Sequence, residues 1–197
     1  MKTLLTGGAG YIGSHTAIEL ISHGHEVVIF DNFSNSHPEA IRRVEQITGR
    51  TIAVINGDVR DQAALEQALR EHDIDSVVHF AGKKAVGESS THPLDYYDNN
   101  VNGTLVLLRA MHSLAIHKLV FSSSATVYGT PQYLPYDEKH PTAAMNPYGR
   151  TKLMAEEILA EERFPQEPQE NLLYFIEKNA PLLEPWQREI VRIVRKI

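Results

Sequence analysis

The sequence has no cysteine and no long hydrophobic run, and each absence narrows what the protein can be. Without cysteine it has no disulfides and no thiolate metal sites, which agrees with a reducing cytoplasm. No apolar run reaches the roughly 18 residues of a membrane helix, and the first hydrophobic stretch is too short for a signal peptide. We therefore expect a cytoplasmic protein without a membrane partner.

The chain also has few basic residues. It contains 19 Lys and Arg against 25 Asp and Glu, which gives a formal net charge of -6. This balance argues against a nucleic-acid partner. The ten histidines are scattered and form no H-E-x-x-H pattern, so we expect no metal site. With 197 residues, 42% of them hydrophobic, the chain can bury one good core and a small appendage.

What is present is a glycine-rich turn between an apolar strand predicted at residues 2–6 and a helix predicted at about 11–23. Gly7 and Gly8 allow a tight turn, and Gly10 lets the backbone approach a pyrophosphate. Gly13 lets the helix pack closely against the strand. The phosphates would lie at the helix N-terminus, against unpaired N–H groups. This context predicts a dinucleotide site, and a glycine turn without a ligand is the alternative.

The next predicted strand, residues 26–30, leads directly into Asp31, which lies eighteen residues after Gly13. A carboxylate at this place is expected to accept hydrogen bonds from a ribose 2′-hydroxyl and to repel a 2′-phosphate. The predicted cofactor is therefore NAD rather than NADP.

Strand-like and helical stretches alternate along the chain in the manner of β-α-β units. This order predicts the α/β fold class, as a Rossmann-type doubly wound parallel sheet with helices on both faces. The predicted strands are residues 2–6, 26–30, 51–56, 75–80 and 117–122, and the predicted helices are residues 11–23, 38–48, 61–71, 93–115 and 147–162. Ligands bind at the carboxyl ends of the strands in such a sheet, so the residues that follow each strand are candidates for a site.

Polar residues follow the third and fourth strands. After the third, Asp58 could hydrogen-bond the adenine, while Asp61 is expected to cap the next helix. After the fourth, Lys83 or Lys84 could neutralise phosphate, with solvated lysines as the alternative. In the helix at 93–115, Asn99 is expected to face the cofactor, with a solvated polar face as the alternative.

The fifth strand and the last predicted helix carry groups suited to chemistry. Hydroxyls at Ser122–Ser124 follow the strand and can hold a substrate oxygen. Asn146 and Pro147 are expected to begin the helix as N-cap and first residue. Tyr148 and Lys152 share one helix face, and an adjacent ammonium, the helix N-terminus and a cationic nicotinamide would all favour a phenolate. Tyr148 is therefore a candidate general base, and a surface helix pair is the alternative.

Residues 1 to about 160 resemble the UDP-glucose 4-epimerases, NAD-dependent isomerases of the extended short-chain dehydrogenase/reductase superfamily. The resemblance lies in the motifs Thr6–His15, Asp31-Asn32, Gly57-Asp58, His79–Gly82, Ala85–Ser89, Tyr96–Asn100, Ser122–Gly129 and Asn146–Gly149. Related sugar-nucleotide dehydratases carry an acidic pair after the serines. This chain has Ala125 and Thr126 there, so elimination chemistry is not expected.

The resemblance implies the reversible oxidation of UDP-glucose or UDP-galactose in galactose metabolism. Tyr148 would take the proton of the sugar 4-hydroxyl while C4 gives hydride to NAD. Ser124 would hydrogen-bond the 4-oxygen, and Lys152 would hold the nicotinamide ribose and favour the phenolate. The ketose would then rotate and take hydride back on its opposite face. The implied cofactor-binding residues are Gly7, Gly10, Tyr11, Ile12, Gly13, Asp31, Asn32, Asp58, Val59, Phe80, Ala81, Gly82, Lys84, Asn99, Ser122, Tyr148 and Lys152.

The chain departs from the family after about Glu161. Family members are considerably longer, and their carboxyl-terminal part supplies the uridine and diphosphate contacts. We therefore expect a truncated or chimeric chain that binds NAD with impaired turnover, and a non-catalytic NAD-binding module is the alternative. The resemblance also implies a homodimer that pairs through the helices at 93–115 and 147–162.

The predicted organisation is an NAD-binding domain at 1–162, a Pro/Gln/Glu linker at 163–171 and a helical tail at 172–197. The tail weakly resembles part of the stage V sporulation protein R-like family, and no role follows from that resemblance.

Overall fold

The computed structural model of the chain describes residues 1–137 and 139–161 and the backbone of residues 172–174. The strands are β1 (Lys2–Thr6), β2 (Glu26–Asp31), β3 (Ala53–Asn56), β4 (Ser76–His79), β5 (Leu119–Phe121) and β6 (Leu172–Tyr174). They form one parallel sheet in the order β3-β2-β1-β4-β5-β6. The chain therefore winds outward in both directions from β1 and β4, which confirms the predicted Rossmann-type sheet. The five predicted strands are also confirmed, with ends that differ by at most two residues.

Helices connect the strands along the chain. They are α1 (Tyr11–Ser22), α2 (Pro38–Thr48), α3 (Gln62–Glu71), α4 (Val86–Thr91), α5 (Pro93–Tyr96), α6 (Gly103–Ser113) and α7 (Pro147–Glu161), with a π-helical segment at Tyr97–Asn102 and a 3₁₀ turn at Ala125–Val127. Four predicted helices are confirmed to within one residue in the described part of the chain, at 11–23, 38–48, 61–71 and 147–162.

The predicted helix at 93–115 differs from the observed structure, because its middle is a π-helical segment rather than α-helix. Such segments insert an extra residue into a helical turn and are frequent at functional sites. The short helix α4 was not predicted, because glycine and serine in its sequence are poor helix formers. Its N-terminal turn is held by a contact with Tyr96, whose hydroxyl lies 2.8 Å from both the Ala85 carbonyl oxygen and the Glu88 carboxylate and can donate to either.

The core lies on both faces of the sheet because successive strand residues point to opposite sides. Leu4 packs with α3, α6 and α7, whereas Leu5 packs with α1 and α2. The side chains of Leu4 and Leu5 are both fully buried. The central strand is therefore covered on both faces, and its carboxyl end is left as the place where a ligand can approach.

Local signals at the helix starts behave as predicted. The Asp61 carboxylate accepts a hydrogen bond from the N–H of Ala64 at 3.0 Å and caps α3. The Asn146 side chain accepts from the N–H of Gly149 at 2.8 Å, and Pro147 is the first residue of α7. These caps are decided within four residues of sequence, which is why the sequence predicts them.

The first three residues of the predicted helical tail at 172–197 form strand β6, which pairs in parallel with β5. The edge of β5 presents unpaired backbone N–H and C=O groups, and pairing with them outweighs local helix preference. The predicted linker at 163–171, residue 162 and the rest of the predicted tail at 175–197 lie outside the described residues. None of the described helices has both the length and the apolar character that a bilayer crossing requires.

The turn between β1 and α1 depends on the absence of side chains. Gly7 has a φ of 69°, and a Cβ atom there would lie 2.6 Å from the Ala81 nitrogen. A Cβ atom on Gly13 would lie 2.6 Å from the Gly7 oxygen and 2.6 Å from the Gly8 Cα. The turn is therefore packed backbone against backbone, both within itself and against the segment that follows β4.

We predict that Gly13→Ala lowers the free energy of unfolding by about 2 kcal/mol or more, because backbone atoms must move to admit the methyl group. The matched control is Gly87→Ala, since Gly87 is also helical and a Cβ there meets nothing within 4 Å. This control should change stability by less than about 1 kcal/mol, in the stabilising direction. Urea unfolding of the two variants and the unmodified chain measures both, and equal effects would contradict the packing described here.

Candidate functional site

The carboxyl ends of β1, β2, β4 and β5 meet through backbone contacts. The N–H of Gly7 donates to the carbonyl of Phe30, the N–H of Phe80 donates to that of Thr6, and the N–H of Ser122 donates to that of His79, at 2.8, 2.9 and 3.1 Å. The glycine turn, the Phe80–Ala81 segment and the serine segment after β5 therefore lie side by side. This is the edge at which a doubly wound sheet binds its ligand.

The N-terminus of α1 has features that fit a pyrophosphate. Gly10 is the N-cap residue, and no side chain caps the helix there. A Cβ on Gly10 would lie 3.2 Å from the Gly7 oxygen, so a side chain there would crowd the turn. Tyr11 is 67% exposed and Ile12 is also exposed. Backbone N–H groups and the helix dipole together favour an anion at this place.

Asp31 is buried and holds the glycine turn as well as the end of β2. One carboxylate oxygen accepts from the N–H of Ala9 at 3.0 Å. The other accepts from the N–H of Phe33 and the hydroxyl of Ser36, each at 2.9 Å. A carboxylate has about four acceptor positions, so one remains for a ribose hydroxyl. The predicted ribose contact therefore fits, and Asp31 has a structural role that the sequence did not indicate.

Asp58 is the centre of a charged network rather than a free acceptor. Arg60 binds both of its carboxylate oxygens, at 2.8 and 2.7 Å, and donates to Asp98 at 2.6 Å. The amide of Asn32 donates to Asp58 at 3.0 Å. The Arg60 guanidinium, through hydrogen bonds above all, holds the pKa of the Asp58 carboxyl well below its usual range. That Asn32 and Asp58 contact an adenosine stays a prediction. The Asp58 carboxylate is already paired with Arg60.

Three predicted cofactor positions, Val59, Ala81 and Gly82, lie close to neighbouring residues of the chain. The Val59 side chain is buried in the core and packs against Gly103. A Cβ atom on Gly103 would lie 2.8 Å from it. Ala81 lies against Gly7, as described above. Gly82 is bordered by Asn100 and Lys152, at 3.3 and 3.6 Å from a Cβ placed on it. A side chain in place of Gly82 would therefore approach Asn100 and Lys152.

The structure separates the two lysines that the sequence left as alternatives. The Lys83 ammonium lies 3.7 Å from the carboxylates of Glu88 and Asp95 and 5.7 Å from the Tyr96 ring centroid. Lys84 is exposed. Because carboxylates already surround Lys83, the arrangement favours Lys84 as the partner of a phosphate.

Asn100 is the buried asparagine of the π-helical segment, whereas its neighbour Asn99, which is predicted to face the cofactor, is half-buried. Asn100 is 4% exposed. Its oxygen accepts from the N–H of Lys83 at 2.8 Å and from the Asn99 amide at 3.0 Å. Its amide donates to the Lys83 carbonyl and to the Thr151 hydroxyl, both at 3.0 Å. Asn100 therefore fastens the segment after β4 to α7. The signal in the sequence was the asparagine pair, which does not tell which member turns inward.

The start of α7 packs against the 3₁₀ turn that follows the serines. A Cβ on Gly149 would lie 2.8 Å from the Thr126 oxygen. Ser124 begins that turn, and its hydroxyl oxygen accepts from the N–H and the hydroxyl of Thr126 at 3.3 and 3.0 Å. Tyr148 is buried, and its ring lies edge-on to that of Tyr96, with 6.5 Å between the centroids. The predicted catalytic residues are thus carried by two elements that contact each other.

Lys152 is 6% exposed, and its ammonium donates to the Ser122 carbonyl at 2.8 Å. It also lies 4.6 Å from the centroid of the Phe121 ring. Burial disfavours the charged form and lowers the pKa of Lys152 to about 8, although the Glu156 carboxylate acts in the opposite direction. The side chain therefore carries a positive charge at neutral pH and loses it within the weakly alkaline range.

His79 is buried beneath this edge. Its two ring nitrogens lie 2.6 Å from the Thr6 hydroxyl and 3.2 Å from the Thr104 hydroxyl. Burial, and secondarily the charge of Lys152, lower the pKa of His79 to about 3, so the ring is neutral. Within the described residues no group of three His, Asp or Glu side chains is placed to hold a metal ion.

The comparisons with known proteins agree with this geometry. A family model described as GDP-mannose 4,6 dehydratase matches residues 4–169. The chain is 53% identical over 159 residues to UDP-glucose 4-epimerase of Bacillus subtilis (strain 168), covering 81% of this chain and 47% of that protein. It is 52% identical over 165 residues to the Homo sapiens UDP-glucose 4-epimerase, covering 80% of this chain and 47% of that one.

Two solved structures are also similar. UDP-glucose 4-epimerase from Bifidobacterium longum, in complex with NAD+ and UDP, has a TM-score of 0.80 and 53% identity, and the match covers 82% of this chain and 48% of that one. The Stenotrophomonas maltophila enzyme, with bound NAD and formylated UDP-arabinopyranose, has a TM-score of 0.80, 48% identity and the same coverage. The chain spans about half the length of the curated relatives it matches.

The bonding of the two asparagines predicts unequal effects on stability. Asn100→Ala should lower the free energy of unfolding by about 2 to 3 kcal/mol, because it removes the side chain that binds the N–H and the carbonyl of Lys83 and donates to the buried Thr151 hydroxyl. Asn99→Ala removes one bond from a half-buried side chain and should cost less than about 1 kcal/mol. Urea unfolding compares them. A larger effect of Asn99→Ala would show that Asn100 does not fasten α7.

The buried imidazole predicts a pH dependence of stability. The pKa of His79 is lowered in the folded state from 6.5 to about 3, so the unfolded state binds more protons between these values and stability falls as pH decreases. Between pH 7 and pH 5 this costs about 2 kcal/mol. In His79→Gln, the loss of stability between pH 7 and pH 5 should be smaller by about 2 kcal/mol than in the unmodified chain. In the control His15→Gln, which changes an exposed histidine, the loss should equal that of the unmodified chain. Urea unfolding at the two pH values tests this, and identical pH dependence in all three proteins would refute it.

Proposed function

This chain belongs to the family whose model is described as GDP-mannose 4,6 dehydratase, and from that premise we propose that it binds NAD and carries the chemistry of a UDP-glucose 4-epimerase. The observation that carries the proposal is the buried Lys152 ammonium, which is held at the end of β5 one helical turn from Tyr148. A buried lysine next to a tyrosine in the first turn of a helix is an arrangement suited to proton transfer.

The cofactor would lie along the edge formed by β2, β1 and β4. The glycine turn and the N-terminus of α1 would hold its pyrophosphate, and Asp31 would accept from the adenosine ribose. Lys84, rather than Lys83, is the lysine proposed to meet a phosphate. Phe80, Ala81, Gly82, Asn99 and Ser122 would border the remaining part of the cofactor.

NAD, when bound, accepts hydride from C4 of the sugar and returns it to the opposite face. The proposed work of the chain is to move the accompanying proton. Tyr148 would take the proton of the sugar 4-hydroxyl, and Ser124 would donate to the resulting carbonyl oxygen. The Lys152 ammonium would hold the nicotinamide ribose and stabilise negative charge on the Tyr148 oxygen. Return of the same proton would complete a 4-epimerisation, with no net oxidation.

Elimination is not part of the proposal, although the description of the family model names a dehydratase. Removal of water requires an acid and a base beside the serines, and this chain carries Ala125 and Thr126 there. The curated relatives reported above are epimerases.

A second candidate is an NAD-binding module that does not turn over a sugar nucleotide. Because the chain spans about half the length of the relatives reported above, turnover by these residues is a separate question from cofactor binding. A UDP-sugar must be held in register with the nicotinamide for hydride transfer, and a loss of substrate contacts would lower the rate steeply without abolishing cofactor binding. The two candidates share the cofactor site and differ only in turnover.

The first measurement is the amount of NAD and NADH released when the purified chain is denatured. About one equivalent per chain, or tight binding of added NAD but not of NADP, is expected because Asp31 would repel a 2′-phosphate. Conversion of UDP-galactose to UDP-glucose is then assayed in the unmodified chain, in Tyr148→Phe and in the exposed control Tyr133→Phe. Loss of activity in Tyr148→Phe alone supports the epimerase.

Bound NAD without turnover would favour the module. The absence of any NAD binding would reject both candidates, because each requires the same cofactor site.

A further inference from the structure

Helix α7 carries a second buried charge that the proposed reaction does not use. Glu156 lies four residues after Lys152, on the same face of the helix, and is 8% exposed. Carboxylates are almost never buried to this degree unless they are paired. The position of Glu156 therefore needs an explanation beyond helix stability.

The two buried charges of α7 hold consecutive residues of the segment after β5. Lys152 donates to the Ser122 carbonyl at 2.8 Å. The hydroxyl of Ser123 donates to the Glu156 carboxylate. Ser124 is the next residue and begins the 3₁₀ turn. The backbone that presents the Ser124 hydroxyl is thus attached to α7 at two successive positions.

We propose that Glu156 is a positioning residue, which fixes the Ser122–Ser124 segment against α7 and balances the buried positive charge of Lys152. The proposal rests on the proposed function, because it assigns a purpose to the placement of Ser124 and Lys152. Glu156 acts through these two residues and touches neither sugar nor cofactor.

The charge balance follows from the groups around Lys152. In the described part of the chain, Lys152 interacts electrostatically with Glu156 on α7 and His79 on β4, and Tyr148 lies one helical turn before it. His79 is neutral and burial opposes the ammonium, whereas the Glu156 carboxylate favours it. Without Glu156 the ammonium of Lys152 would be lost at lower pH. Its contact with the Ser122 carbonyl and its effect on Tyr148 would weaken with it.

Two variants separate the two parts of this role. Glu156→Gln keeps an oxygen that can accept from Ser123 and removes the charge. Ser123→Ala removes the hydroxyl and keeps the charge. The readout is the titration of Lys152 in the full chain, followed by NMR of ¹³Cε-labelled lysine, with the signal assigned by its disappearance in Lys152→Arg.

Glu156→Gln should lower the proton affinity of Lys152 by about tenfold, whereas Ser123→Ala should leave it near that of the unmodified chain. Glu156→Asp, which restores a carboxylate, should recover most of the loss. An unchanged Lys152 titration in Glu156→Gln would overturn the proposal, as would equal shifts in the glutamine and aspartate variants. Where Glu156→Gln fails to fold, Glu156→Asp and Ser123→Ala decide the question, and a larger shift of the Lys152 titration in Ser123→Ala than in Glu156→Asp would overturn the proposal.

NAD binding distinguishes this proposal from the proposed function. The affinity of Glu156→Gln for NAD should fall off at lower pH than that of the unmodified chain, in step with Lys152. No NAD binding by the unmodified chain would reject the proposed function, whereas the Lys152 titration would still decide whether Glu156 balances its charge. Normal NAD binding with the same pH profile in both proteins would reject the role of Glu156 alone.

Discussion

The structure depends on one close approach between two backbones. The turn after β1 lies so near the segment after β4 that Gly7 cannot carry a side chain, since its Cβ would sit 2.6 Å from the Ala81 nitrogen. β1 and β4 are neighbours at the point where the strand order reverses, and this point is the ligand-binding position of a doubly wound sheet. Because α1 starts at the same turn, the contact also sets the position of the helix N-terminus relative to the sheet edge.

A line of buried hydrogen bonds extends this constraint across the domain. It runs from the Thr6 hydroxyl on β1 through the His79 ring on β4 to the Thr104 hydroxyl on α6. The Thr104 hydroxyl in turn donates to the Asn100 carbonyl at 2.7 Å. The Asn100 amide continues the line to Thr151 on α7. Each buried polar group in the line has a partner, so displacement of one element leaves its neighbour unsatisfied. The N-terminal part of α7, at Thr151, is therefore linked to the central strands.

The sequence predicted the parts of the fold that short-range chemistry decides. The caps at Asp61 and Asn146 and the glycine turn depend on neighbouring residues, and the strands and most of the helices follow from alternating hydrophobic patterns. The π-helical segment and the inward-facing Asn100 were not predictable in this way, because both depend on Lys83 and Thr151, which are distant in sequence. Strand β6 was missed for the same reason, since pairing with β5 decides it.

In the candidate site, too, the sequence predicts the type of residue but not the partners that this residue binds within the chain. The sequence indicated that Asp31, Asp58 and Lys152 are suited to bind a dinucleotide, and it did not indicate that each is already bound within the chain. Asp31 accepts from three donors, Asp58 is paired with Arg60, and Lys152 donates to a backbone carbonyl. Side chains held in this way need no reordering when a ligand arrives, so less of the binding free energy is lost to fixing them. The internal pairing of these charged groups thus fixes the side chains around which the proposed cofactor site would form.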